Sequence, residues 1–200
     1  GCRQANCTLS GGETAILPEL VNGFDIAGTS VGYVKQEDII DGTKISEDDV
    51  LIGLKSSGPH SNGYTLIRKL FDGDKEIGKQ LIEPTRIYVK EVMELISQID
   101  VHGIAHITGG GLDNINRIND HFQYVIDKPL PVPSVFDWLQ EKGNVERREM
   151  YRTFNMGMGM MVIVDKNDAE KSVSILGSDA QIIGSVRNGK GVEHSSLKTD

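Results

Sequence analysis

The densest group of reactive side chains lies in one loop, which reads Ser56-Ser57-Gly58-Pro59-His60-Ser61-Asn62-Gly63-Tyr64. This loop follows a short apolar run at residues 50–54 and precedes a helical segment. Its backbone N–H groups are therefore expected at a helix N-terminus, where an anion is stabilised. His60 is the one group here that can exchange a proton near neutral pH. A simple Gly-Pro turn with a surface histidine fits the same residues, and spacing alone does not decide between the two.

A second loop, Thr108-Gly109-Gly110-Gly111, also joins a predicted strand to a helical segment. Three glycines allow close approach to a phosphate or ribose, or they simply make a permissive turn. No Gly-Lys-Ser/Thr follows, so the loop is not a P-loop, and it does not fit GxGxxG. His102 and His106 precede it in the same predicted strand, where four residues span about 13 Å. That separation is too large for one metal ion, so we expect structural or substrate roles for both histidines.

Two charged residues outside these loops could contact a nucleotide. Glu13 lies in Gly11-Gly12-Glu13-Thr14-Ala15, where its carboxylate could hold Mg²⁺ or remain a solvated loop acid. Arg152 could clamp a phosphate or form a structural salt bridge. The four methionines between residues 156 and 161 lead into an apolar strand, which favours core packing over a soft metal site.

The elements that must position these residues alternate between strands and helices. Strands are predicted over residues 24–35, 50–54, 104–107, 122–126, 160–164 and 181–186, and helices over 64–71, 85–99, 112–118, 135–142, 146–152 and 167–176. This alternation predicts an α/β (α+β) fold with helices packed on a sheet. The polar, acidic stretch at residues 36–49 is the best candidate for a domain boundary, and residues 195–200 are predicted to be a frayed tail.

Composition excludes several classes of protein. The 200 residues include 21 basic and 29 acidic side chains, a net charge of −8, which argues against broad nucleic-acid or anionic-membrane binding. The chain has no apolar run long enough for a transmembrane helix and no signal-peptide pattern at its start. Cys2 and Cys7 are too few for a disulfide scaffold, and their spacing fits neither a zinc nor a redox motif. We therefore expect reduced thiols and a cytoplasmic protein.

Taken in order, six blocks of the sequence closely resemble the phosphoribosylformylglycinamidine cyclo-ligases (aminoimidazole ribonucleotide synthetases) of purine biosynthesis. The resemblance extends from residue 1 to about residue 194, and SSGPHSNGY and EMYRTFN are its most specific parts. The blocks are Gly1–Ala5, Gly11–Ala15, Ser56–Tyr64, Pro84–Val89, Thr108–Gly111 and Glu149–Gly157. The segment after the glycine triplet departs from the family pattern, because it is one residue shorter and carries Asn116 where a proline is common.

The resemblance implies an ATP-dependent ring closure with ATP and Mg²⁺ as cofactors and a nucleotide as substrate. The formyl oxygen of formylglycinamidine ribonucleotide is phosphorylated, an amidine nitrogen attacks that carbon, and phosphate leaves. By motif, Glu13 is a catalytic residue and Mg²⁺ ligand, and His60 is the proton-transfer group or phosphoryl-oxygen contact. The residues implied to bind substrate or phosphate are Ser57, Gly58, Asn62, Thr108, Gly109, Gly110, Gly111 and Arg152.

The resemblance also implies a two-domain enzyme that dimerises through its N-terminal domain. Residues 1–43 would be the tail of that ATP-binding α/β domain, including its last strand region. Residues 44–200 would be the C-terminal α/β domain, with helices on a mixed sheet. The nucleotide-binding segments of the N-terminal half are not in this sequence, so the chain alone is expected to be inactive.

Two other classes of function remain open at this stage. One is a kinase or synthetase of the same fold that acts on another substrate, such as a thiamine monophosphate kinase or a selenophosphate synthetase. The other is a non-catalytic domain that only binds a ligand or partner.

Overall fold

A computed structural model of the chain describes residues 1–197, and its centre is one six-stranded sheet. The strands are β1 (Val50–Lys55), β2 (Val101–His106), β3 (Phe122–Ile126), β4 (Met158–Val164), β5 (Ala180–Asn188) and β6 (Gly191–His194). Their order is β2-β4-β1-β5-β3-β6. Only β3 and β6 run parallel, and the other neighbouring strands are antiparallel. This mixed sheet confirms the predicted fold class.

The α-helices are short and pack on this sheet. They are α1 (Tyr64–Leu70), α2 (Lys75–Leu81), α3 (Val89–Ile96), α4 (Ser134–Gly143), α5 (Arg147–Thr153) and α6 (Ala169–Leu176). Short 3-10 helices span Gln36–Asp38, Gly111–Arg117, Lys166–Asp168 and Ser195–Leu197. No helix within residues 1–197 has both the length and the apolar character needed to cross a bilayer.

The two faces of the sheet form two hydrophobic clusters. Leu51 and Ile163 point into a cluster with residues of α1, α4 and α5, whereas Ile52 and Val162 point into one with residues of α3 and α6. Successive residues of a strand face opposite sides, and a strand covered on both faces is apolar throughout. This explains why the central strands were visible in the sequence as continuous apolar runs. Of the four methionines considered above, Met156, Met158 and Met161 are buried in the first cluster, as predicted.

The strand predicted over residues 24–35 is absent. A strand needs a neighbour to satisfy its backbone hydrogen bonds, and no strand of the described sheet pairs with this segment. Its apolar side chains are exposed, with Val31 at 94% and Tyr33 at 100%. The proposed division into residues 1–43 and 44–200 stays a prediction.

Other element predictions need smaller corrections. The helix predicted over residues 85–99 begins only at Val89, because Arg86 and Tyr88 are tied by side-chain hydrogen bonds to the carbonyl of Lys55. Helix α2 was not predicted, although Asp74 caps it by accepting hydrogen bonds from the N–H groups of Glu76 and Ile77. Strand β6 was also missed. The tail predicted at 195–200 is a 3-10 helix as far as Leu197, and residues 198–200 lie outside the described residues.

Candidate functional site

The loop of residues 56–64 joins the end of β1 to the start of α1. The N–H of Ser56 donates to the carbonyl of Gly157 at 2.9 Å, which fixes the start of the loop beside β4. At the other end, Gly63 has a φ of +75° and precedes α1. A Cβ at Gly63 would overlap the ring of Phe154. Only glycine combines this backbone conformation with this close packing, so Gly63 sets the path of the loop.

His60 lies at the centre of this loop and is 4% exposed. Its Nε2 accepts a hydrogen bond from the N–H of Ser57 at 3.2 Å. Its Nδ1 is buried and has no hydrogen-bond partner among the described residues, and the same holds for the Ser56 hydroxyl. A buried polar group without a partner costs about 1–3 kcal/mol. Two such atoms in one loop therefore point to a ligand that supplies their partners.

Two aromatic rings, those of Tyr88 and His106, lie against the buried imidazole. The ring centroids of His60 and Tyr88 are 6.4 Å apart, those of His60 and His106 are 6.1 Å apart, and those of Tyr88 and His106 are also 6.1 Å apart. Gly159 of β4 leaves the room for them, because a Cβ there would overlap the Tyr88 hydroxyl and lie 2.7 Å from Cε1 of His60. We call His60, Tyr88 and His106 the ring cluster.

The ring cluster is uncharged at neutral pH. Burial, with smaller contributions from the charges of His106 and Arg86, lowers the pKa of His60 to about 4. Burial also lowers the pKa of His106. The pKa of Tyr88 is raised, mainly by burial. The cluster therefore presents two neutral imidazoles and a phenol whose hydroxyl donates to the carbonyl of Lys55 at 2.9 Å.

The glycine loop of residues 108–111 lies against the His60 loop. A Cβ at Gly109 would be 3.0 Å from Oδ1 of Asn62, so the two loops are neighbours. The side chain of Asn114 holds the glycine loop by donating to the carbonyls of Thr108 at 3.3 Å and Gly111 at 2.7 Å. The structure thus brings together the two loops that the sequence singled out separately.

The segment that ends α5 contacts both loops. Gly111, with a φ of +57°, packs so closely on the carbonyl of Tyr151 that a Cβ there would overlap it. Asn155 is 3% exposed, and its side-chain amide donates to the carbonyl of Gly58 at 2.8 Å. The Asn155 side chain also accepts from the N–H of Gly157 at 2.9 Å. The block EMYRTFN therefore holds both loops in place, through its backbone at Tyr151 and through the side chain of Asn155.

A surface cavity of about 440 Å³ adjoins the His60 loop. Ser57 and Gly58 form part of its wall, together with Lys79, Gln80, Glu83, Pro133 and Val135. The Ser57 hydroxyl is already used, because it donates to the carbonyl of Pro84 at 2.6 Å. Of the residues predicted to bind substrate, Ser57 and Gly58 line this cavity, and Asn62 contacts the glycine loop instead.

The side chains of Arg152 and Glu13 make no hydrogen bond or ion pair with these loops among the described residues, although the Arg152 backbone lies against Gly111. The Arg152 side chain is 75% exposed and lies 3.8 Å from the carboxylate of Glu149, which matches the salt-bridge alternative. Glu13 is exposed, and no hydrogen bond or ion pair given for residues 1–197 links it to either loop. The phosphate role of Arg152 and the catalytic role of Glu13 stay predictions.

The described residues do not build a metal site by themselves. Within residues 1–197, no group of three or more His, Cys, Asp or Glu side chains is arranged to hold a metal ion. His102 is instead engaged with Asp49, at 2.6 Å, and His106 belongs to the ring cluster. The donors among the described residues thus do not fit a complete Mg²⁺ site, and Glu13 would supply one carboxylate at most.

Sequence reasoning missed Ser56, Tyr88 and Asn155 as site residues, and it assigned no specific role to His106. Ser56 and Asn155 lie inside the blocks that were recognised, and Tyr88 lies inside the block Pro84–Val89. Their contribution depends on which atoms are buried and paired, which the order of residues does not reveal. The signal available was their placement in the same blocks as the predicted residues.

The described residues form a mixed α/β domain with helices on a six-stranded sheet, and comparison with known families identifies it. The family described as "AIR synthase related protein, C-terminal domain" matches residues 46–195. Because this match covers most of the chain, the protein belongs to that family. The match confirms the relationship to aminoimidazole ribonucleotide synthetases at the level of this wider family.

Solved structures of proteins with different names show the same fold. E. coli HypE, a hydrogenase maturation protein, is 20% identical with a TM-score of 0.58, covering 78% of this chain and 49% of HypE. Thiamine monophosphate kinase from Aquifex aeolicus is 16% identical with a TM-score of 0.52, covering 80% of this chain and 54% of the kinase. The chain therefore spans about half the length of the structures it matches. At these identities the likeness concerns the fold alone.

Proposed function

We propose that this chain is the C-terminal part of an ATP-dependent cyclo-ligase that converts formylglycinamidine ribonucleotide to aminoimidazole ribonucleotide. One observation carries the proposal: the blocks SSGPHSNGY, TGGG and EMYRTFN, separate in sequence, meet around the buried His60. These are the blocks on which the resemblance to the cyclo-ligases depends. Their convergence is what a shared substrate site requires.

The chemistry needs groups that stabilise an oxyanion and a group that accepts a proton. ATP supplies the phosphoryl group that activates the formyl oxygen, and the amidine nitrogen then displaces phosphate. His60 Nδ1 and the Ser56 hydroxyl, which lack partners, are suited to contact the transferring phosphoryl or the oxygen it activates. The glycine loop lets backbone approach the substrate phosphate, and the Asn62 side chain lies against Gly109 of that loop.

The rest of the active site belongs to residues outside the loops described above. ATP would bind mainly to an N-terminal domain, and the protein would form a homodimer through that domain in the cytoplasm. Mg²⁺ would neutralise charge on the phosphates, with Glu13 as one ligand. No step of this proposal is assigned to the ion, because the described residues do not complete its site.

A kinase or synthetase of the same fold is the second candidate. The fold likeness to HypE and to a thiamine monophosphate kinase favours it, and one of the HypE structures is a complex with ATP. Such an enzyme would share phosphoryl transfer from ATP but use another acceptor. A ligand-binding domain without catalysis is the third candidate and predicts no substrate-dependent ATP turnover.

A substrate panel separates these candidates. The protein is purified at the full length of its natural chain and incubated with ATP, Mg²⁺ and either formylglycinamidine ribonucleotide or thiamine monophosphate. We expect ADP and aminoimidazole ribonucleotide in equal amounts with the first substrate only. ADP release with thiamine monophosphate instead would support the kinase, and the absence of turnover with every substrate would support the binding domain.

A further inference from the structure

We infer that His60 serves as a hydrogen-bond donor to an anionic oxygen of the ligand through Nδ1, and that His106 accepts the proton. This assignment decides between the two roles left open for His60. Its catalytic part rests on the proposed cyclo-ligase function. Its binding part, a donor site for an oxyanion such as a phosphate, does not.

The hydrogen bond from Ser57 fixes the tautomer of His60. A neutral imidazole carries one N–H, and the other ring nitrogen is an acceptor. The N–H of Ser57 points at Nε2 at 3.2 Å, so Nε2 must be the unprotonated nitrogen. The single proton is therefore on Nδ1. In this state neither nitrogen is free to act as a base, because Nε2 already accepts a hydrogen bond and Nδ1 already holds its proton.

The Nδ1–H group needs an acceptor that the chain does not provide. Among the described residues Nδ1 is buried without a partner, and the hydroxyl of Ser56, four residues earlier, is in the same condition. Both atoms can donate a hydrogen bond, and two buried donors without acceptors favour an oxyanion as the missing partner.

His106 is placed to accept the proton instead. It ends β2 next to the glycine loop, its side chain reaches solvent although part of the ring is buried, and its ring lies 6.1 Å from that of His60 between centroids. The groups facing the two imidazoles are each other, the Tyr88 ring and the guanidinium of Arg86. Glu91 and Asp179 lie beyond these groups and are paired with Arg86. Burial disfavours the charged imidazolium, so His106 is neutral before it takes up a proton.

The proton balance of ring closure follows from this arrangement. The amidine nitrogen forms a bond to the activated formyl carbon, and the bond between that carbon and the phosphorylated oxygen breaks. Phosphate leaves with the former formyl oxygen. Two protons leave the substrate in all. The formamide N–H proton goes to water when the formyl oxygen is phosphorylated, and the proton of the attacking nitrogen passes to the neutral His106 and then to water. The Nδ1–H of His60 keeps its proton throughout and donates a hydrogen bond to the departing oxygen.

Two substitutions test whether His60 acts as a hydrogen-bond donor or as a base. His60→Asn places an amide N–H near the position of Nδ1 and tolerates the left-handed backbone, where His60 has a φ of +57°. His60→Gln places an acceptor near Nε2 for the Ser57 N–H but supplies no donor at Nδ1. We expect His60→Gln to lower kcat about 10²–10³-fold, as for the loss of an oxyanion donor. His60→Asn should lose no more than about tenfold, the value of one hydrogen bond.

Ligand binding and the tautomer provide readouts besides activity. In the chain labelled with ¹⁵N-histidine, the nitrogen shifts of His60 should show the proton on Nδ1 at neutral pH. Inorganic phosphate, titrated by calorimetry, should bind wild type and His60→Asn more tightly than His60→Gln. His106→Gln should keep phosphate binding, lower kcat, and abolish the loss of activity seen as pH falls through the pKa of His106.

The outcomes distinguish the inference from the proposed function. A proton on Nε2 of His60, or equal loss of kcat in His60→Asn and His60→Gln, would overturn the donor assignment. If the activity of His106→Gln still falls at low pH as it does in wild type, the role of His106 as proton acceptor is overturned. If wild type makes no aminoimidazole ribonucleotide yet shows the Nδ1 proton and phosphate binding that His60→Gln loses, the cyclo-ligase proposal fails and the donor site stands.

Discussion

Asn155 holds the His60 loop, and its removal should cost more stability than its small size suggests. Its side chain satisfies two backbone groups in a buried position, the carbonyl of Gly58 and the N–H of Gly157. Asn155→Ala leaves both without a partner, at about 1–3 kcal/mol each. We expect the free energy of unfolding to fall by about 2–6 kcal/mol, a large share of the 5–15 kcal/mol typical of a domain.

Asn167→Ala is the matched control for this prediction. The Asn167 side chain also donates a hydrogen bond, to Asp165 at 2.8 Å, but the pair is exposed to solvent. Its loss should cost less than about 0.5 kcal/mol. Urea unfolding followed by circular dichroism measures both variants under the same conditions. Equal small losses in the two variants would show that Asn155 does not brace the loop, and the convergence of the three blocks would lose its main support.

The remaining predictions concern the glycine loop and a second buried histidine. Gly111→Ala should destabilise the chain by more than about 2 kcal/mol, since a Cβ there overlaps the carbonyl of Tyr151. Gly177→Ala, at φ +85° and ψ −168° with open space around it, carries backbone strain alone, about 1–3 kcal/mol, and should be the less destabilised of the two variants; equal melting temperatures would refute the packing argument. Burial, then the charge of Arg147, lowers the pKa of His194 to about 4. Its unfolded form, with a pKa of about 6.5, binds more protons, so stability present above pH 6.5 is lost as pH falls towards 4. The urea midpoint should therefore decline less between pH 6.5 and 4 in His194→Gln than in wild type. An identical decline in the two proteins would contradict this prediction.

The sheet could be predicted because both of its faces are buried. The runs at residues 50–54 and 160–164 are apolar throughout, and each lies within a strand of the structure, β1 or β4. The segment at residues 24–35 has similar β-forming residues but lies exposed, with no pairing strand among the described residues. Local composition reports the tendency to form a strand. The presence of a partner strand is a property of the fold, which the composition of one segment does not contain.

The site was predictable in its parts and not in its geometry. The His60 loop and the glycine loop were identified because their residue types suit anion binding at helix starts. The contacts that join them depend on long-range packing, as when Asn155 reaches Gly58 across 97 positions of sequence. Tyr88 was expected inside a helix. Its hydrogen bond to Lys55 and its contacts with the rings of His60 and His106 show that it lines the site. The identity of the buried atoms without partners likewise required coordinates.

A crystal structure of the full-length protein with formylglycinamidine ribonucleotide and a non-hydrolysable ATP analogue tests the central claim most directly. The account predicts that the formyl end of the substrate, or the phosphoryl group facing it, lies within hydrogen-bond distance of Nδ1 of His60. It also predicts that the ribose phosphate contacts the backbone of the Gly109–Gly111 loop. A substrate bound away from both loops, with Nδ1 still without a partner, would contradict the account.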